Sequence, residues 1–141
     1  MERPSISSAG ALTPGNAARY TAAALLILAA AIHFAVMPEH FAEGLPFGTF
    51  MLTTAICQLA AAVLVVLRPS RLVTRAAILG NLVILAIFGI AYTVGLPVVG
   101  DGPEMLSVMG ITATVAEVLL VLVLAPFLWP VRHVARARVT P

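Results

Sequence analysis

Residues 47–67 read FGTFMLTTAICQLAAAVLVVL, an uncharged apolar run that breaks into RPSRLVTR at residues 68–75. As a helix, a run of that length extends about 31 Å, enough to cross a hydrocarbon layer of about 30 Å. Three arginines, Arg68, Arg71 and Arg75, crowd the gap before the next apolar run begins. Lys/Arg-rich segments flanking spans stay cytoplasmic, so this gap marks one face of a membrane.

The remainder of the chain repeats the pattern. Apolar stretches cover about residues 17–37, 47–67, 72–96 and 106–129. All eight basic side chains are arginines, and Arg3, Arg19, Arg132, Arg136 and Arg138 fall on the same side as the central three. The two gaps on the other side hold Glu39, Glu43, Asp101 and Glu104, four of the six acids. The expected architecture is an all-α membrane protein, a compact four-transmembrane-helix bundle with both termini cytoplasmic. Residues 1–16 read as a flexible cytoplasmic tail, 17–130 as the transmembrane domain and 131–141 as a basic cytoplasmic tail. Arg19 and the run ending at Ala29–Ala31 also fit a cleaved secretory signal, but the apolar stretch continues past that point, which favours a span. The expected location is a bacterial cytoplasmic (inner) membrane, crossed several times.

Composition removes several classes of function. With 61% hydrophobic and 10% charged residues, the chain has less than half the charge of an ordinary soluble domain, about 25%. The net charge of +2 comes from orienting arginines, with no basic stripe interleaved with aromatics, so nucleic acid is not an expected partner. The expected partners are the lipid bilayer and either further copies of the chain or a larger membrane complex. Cys57 is the only cysteine, which excludes an internal disulfide and a cysteine-based zinc site.

Each span carries a polar or small-residue stripe at helical spacing: Ala22, Leu26, Ala30, His33 and Met37; Phe47, Met51, Thr54 and Gln58; Thr74, Asn81, Phe88 and Tyr92; Ser107, Gly110, Thr114 and Glu117. Helices in lipid associate through close packing of small residues and hydrogen bonds between helices, so the stripes are expected to face one another. Counting along the helices places Glu117 and Gln58 near the midplane, Asn81 about one turn toward the cytoplasm, and His33 and Tyr92 in the outer half. An ionised carboxylate at mid-bilayer costs about 2.5–3.5 kcal/mol or more. Glu117 is therefore expected to carry a proton and to bond Gln58 or Asn81. This trio serves either as interhelical glue or as a proton relay. A shift of 59 residues also lays His33 on Tyr92, Pro38 on Pro97 and Gln58 on Glu117, a faint parallel duplication.

A second constellation gathers at the outer end. His33, Met37 and His40 stand at i, i+4 and i+7, with Met51, Met105 and Met109 at similar depth. Imidazole with thioether suits copper, and Glu39, Glu43, Asp101 and Glu104 form an acidic mouth that attracts cations. Against this stand the ordinary use of methionine as apolar filler and Pro38, which is expected to interrupt the helix before His40. Haem is disfavoured, because His33 and His40 share one helical stretch and His133 lies across the membrane.

The motifs of nucleotide binding, serine hydrolysis and zinc proteolysis are absent from the sequence, and no enzymatic activity is expected. The run His33-x4-Pro38-Glu39-His40-x2-Glu43, continued by Gly48-x-Phe50 and Gln58, resembles small bacterial four-span integral membrane proteins to which no activity is attached. The stretch Tyr92-x2-Gly95-Leu96-Pro97, with Gly102-Pro103 and Glu117 beyond, is similar in layout. The resemblance implies a fold and no function. Three functions follow from the residues: an outward-facing His/Met/acidic cation or metal site, with or without an accessory-subunit role; a small oligomeric proton-coupled transporter using Glu117; and a structural or assembly protein.

Overall fold

The computed structural model describes residues 14–95 and 106–128. Four helices follow in order: α1 Asn16–Glu43, α2 Leu45–Leu67, α3 Arg71–Thr93 and α4 Val108–Leu124, the last continued by a 3-10 turn at Ala125–Leu128. Each is long and apolar enough to cross a membrane. Large apolar side chains such as Leu45, Leu67, Leu72 and Val108 stand fully outward on the bundle surface, as lipid-facing residues do. The chain is a polytopic membrane protein whose helices contact the bilayer. Both tails, at 1–13 and 129–141, lie outside the described residues, as do Asp101, Glu104 and Met105.

Local chemistry sets the helix ends. Gly44 alone separates α1 from α2: its N–H donates to the His40 carbonyl and its own carbonyl accepts from Phe47 and Gly48. Ser70 and Ser107 cap α3 and α4, each hydroxyl accepting the N–H three residues on, from Val73 and Gly110. Gly95 follows α3 with φ 80° and returns its N–H to the Ile90 carbonyl, a left-handed stop that glycine adopts without strain.

One expectation is corrected. Pro38 does not interrupt α1, which runs on unbroken to Glu43. A proline removes one intrahelical bond, here the one to the Phe34 carbonyl, but the flanking turns and the packing of α2 against this segment hold the register. Gly48 shows how close that packing is, since a Cβ there would fall inside the Phe41 ring. His40 therefore lies in helical register with His33.

The helices pack antiparallel around a core in three layers. Near the arginine-bearing ends, Ala22, Leu26, Ala62, Val65, Ala77, Ile78, Leu120 and Leu124 form a dry apolar cluster. Met51, Ile84 and Phe88 form a smaller cluster toward the acidic end. Between them lies a layer of buried polar side chains. Alanines such as Ala22, Ala29, Ala30, Ala55 and Ala62 are wholly or almost wholly buried; their small size allows α1 and α2 to approach closely.

Arg19 closes the arginine end. Its Nε donates to the Val65 carbonyl at 3.2 Å, and a terminal nitrogen donates to the Val66 carbonyl. These carbonyls belong to the last turn of α2, which has no intrahelical donors for them, and a cation there also complements the helix dipole. Arg19→Gln is expected to lower stability by about 1–2 kcal/mol, read as a lower thermal midpoint in detergent by circular dichroism.

Candidate functional site

Each helix contributes one side chain to the polar layer: His33 from α1, Gln58 from α2, Asn81 from α3 and Glu117 from α4. All four are at most 3% exposed, and Glu117 is 0%. The carboxylate is the hub. Its Oε1 receives the Gln58 Nε2–H at 2.9 Å and lies 3.1 Å from His33 Nε2. Gln58 Nε2 also reaches Asn81 Oδ1 at 3.4 Å, and Asn81 Nδ2 donates to the Ala77 carbonyl at 2.8 Å. Gln58 Oε1 and Glu117 Oε2 are buried without a hydrogen-bond partner among the described residues.

Glu117, Gln58 and Asn81 are thus brought together as their positions along the helices suggested. His33 is the member that sequence reasoning assigned elsewhere. Its bond to Glu117 joins residues 84 positions apart, a contact that spacing within one helix cannot reveal. The available signal was its place on the Ala22–Leu26–Ala30–His33 stripe, which is buried throughout.

In two net-neutral arrangements the pair shares one proton between Nε2 and Oε1: imidazole with carboxylic acid and imidazolium with carboxylate. They differ only in where one proton sits along a 3.1 Å line. In both, His33 Nε2 is committed to Glu117. The hydrogen bond that the described residues make to this ring is at Nε2.

The same ring lines a cavity of about 270 Å³ that opens toward the acidic end of the bundle. His33 stacks on Phe88 with ring centroids 5.8 Å apart and planes within 9°, and Phe88 stacks on Tyr92 at 6.1 Å and 18°. The three rings make a continuous aromatic wall from floor to mouth. Met51 adds a polarisable surface, and Glu39, His40 and Glu43 line the entrance. His40 Nδ1 pairs with Glu43 Oε2 at 2.7 Å. Beneath the floor, the apolar cluster seals the route to the arginine end. The cavity is one-sided.

The expected His33–Met37–His40 set is distributed differently. His33 and His40 line the one cavity, while Met37 packs beside Met51, Ile84 and Phe88 and Met109 faces outward. Among the described residues, no three His, Cys, Asp or Glu side chains converge in a way that could hold a metal ion. Cys57 is exposed on the lipid-facing surface.

No protein-family model, curated protein or solved structure matches this chain.

Proposed function

We propose that this chain is a non-enzymatic membrane protein that binds a small cation in the cavity above His33, with the acidic mouth facing away from the cytoplasm. The observation that carries the reading is the juxtaposition in one cavity of a buried His33–Glu117 pair and the entrance carboxylates Glu39 and Glu43. Low-dielectric walls focus the field of such carboxylates and raise the local cation concentration. The arginine distribution supports the orientation. The sealed apolar layer favours binding over passage through a single chain, so a carrier built from it would need a second copy or a large rearrangement. A metal version is weakened by the separation of Met37 from the two histidines.

A thermal-shift panel on the detergent-purified protein tests the reading, using sodium, calcium, copper(I), zinc and small organic ammonium salts. A specific ligand at a hundredfold excess over its Kd stabilises by about 2.7 kcal/mol. At least one cation is expected to raise the midpoint saturably, and Glu39→Gln with Glu43→Gln is expected to abolish the rise. A flat response across the panel would remove the proposal.

A further inference from the structure

The chemistry of the cavity narrows the cation to one class and attaches a proton to its binding; this rests on the cation-site reading above. We propose that the cavity takes a protonated primary amine with a small apolar or aromatic body, and that its binding displaces one proton from the His33–Glu117 pair.

The first support is shape and surface. A cavity of about 270 Å³ falls just below the range of about 300–1,000 Å³ used by drug-sized ligands, so its occupant is small. One wall is the Phe88–Tyr92 pair, an aromatic surface suited to the apolar body of a small organic ligand. A bare inorganic ion would prefer converging ligands, and no three His, Cys, Asp or Glu side chains converge to hold one among the described residues. An organic ammonium uses the surfaces that are present.

The second support is proton accounting at the floor. An uncompensated charge buried among helices is costly, so the empty site favours the net-neutral His33–Glu117 pair with one shared proton. In both neutral arrangements Nδ1 bears a hydrogen, because Nε2 either accepts from the carboxyl or is itself protonated alongside Nδ1. An arriving ammonium adds one positive charge. Releasing one proton, the one on Nδ1, restores neutrality: the shared proton settles on Nε2, which donates to Oε1 of a Glu117 carboxylate, and Nδ1 is left with a lone pair. That lone pair is the acceptor a primary ammonium N–H requires. The other titratable groups around the floor are Glu39, His40 and Glu43 on α1 and Tyr92 on α3, all toward the entrance. α2 contributes Gln58, which does not titrate.

Benzylammonium and benzyltrimethylammonium share a ring and a charge, but only the first can donate an N–H, which makes them the probes. Calorimetric titration of the intact protein in buffers of different ionisation enthalpy reads affinity and proton release together. Benzylammonium is expected to bind about tenfold tighter than its trimethyl analogue, a hydrogen bond's worth of discrimination, and to release about one proton per molecule bound. Phe88→Leu, which keeps an apolar side chain, is expected to weaken it severalfold. Glu117→Gln is expected to eliminate the proton release, because beside a neutral amide the imidazole holds no second proton to give up. Equal affinity for the two probes, or binding with no proton released, overturns this inference while leaving the cation site standing. Binding of an inorganic cation with neither probe does the same. If no cation binds at all, both readings fall.

Discussion

Glu117→Leu is expected to be the most damaging single substitution in the bundle. Leucine fills a similar volume but makes no hydrogen bond, so the Gln58 Nε2–H and the His33 Nε2 lose their shared partner in the driest part of the core. Each unsatisfied buried donor costs about 1–3 kcal/mol, for a combined loss of about 2–5 kcal/mol. The conservative change separates packing from protonation. Glu117→Gln keeps an sp² oxygen where Oε1 stands, which accepts from Gln58 and from the His33 tautomer protonated at Nε2, so its thermal midpoint is expected to stay close to that of the parent. Circular dichroism melts of the two variants in one detergent make the comparison. A Gln variant as unstable as the Leu variant would show that ionisation, not hydrogen bonding, holds the four helices together.

The second large effect is expected from His33→Ala. It removes the bond to Glu117 and the stacked contact with Phe88, and it empties the cavity floor. Loss of the bond and the added void together cost about 2–4 kcal/mol. The substitution also uncovers Glu117, which the imidazole now separates from the cavity. A hydrophobic carbodiimide, which modifies carboxyl groups reached from the lipid phase, is expected to label Glu117 slowly in the parent and much faster in the variant, as read by mass spectrometry of the proteolysed protein. Unchanged labelling would mean that His33 is not what closes the floor.

The fold was legible because membrane insertion leaves coarse marks: long apolar runs and a one-sided distribution of arginine. Burial followed most of the helical stripes for α1, α2 and α3. Ala22, Leu26, Ala30 and His33 are all buried, as are Phe47, Met51, Thr54 and Gln58, and Thr74, Asn81 and Phe88, whereas Met37 and Tyr92, the last members of the α1 and α3 stripes, are half-buried. In α4 the stripe was displaced. Ala113, Ala116, Glu117, Leu120 and Leu124 form the buried face, and Ser107 is exposed. The serine instead caps the helix, a local task that competes with facing the core. The site was legible only in part. Depth counting put Glu117 and Gln58 near the midplane with Asn81 about one turn toward the cytoplasm, close enough to bond, but His33 went to the metal set because its neighbours along α1 were more conspicuous than a partner three helices later. The aromatic wall also escaped, since His33 reaches Phe88 only across the bundle interior, from helices that are not neighbours. Pro38 was read as a stop because proline ends helices in water; within a bundle, surrounding helices tolerate the missing bond.

His33 lies ten residues before the end of α1 at Glu43, about 15 Å along the helix axis. A lone cation carried that far into an energised membrane would feel part of the potential, which acts on a unit charge with about 2.3 kcal/mol per 100 mV over the full thickness. An amine that takes the place of a proton at the same depth moves no net charge. Filling and emptying such a site would be electrically silent, governed by acidity and amine concentration on the one open side and indifferent to voltage.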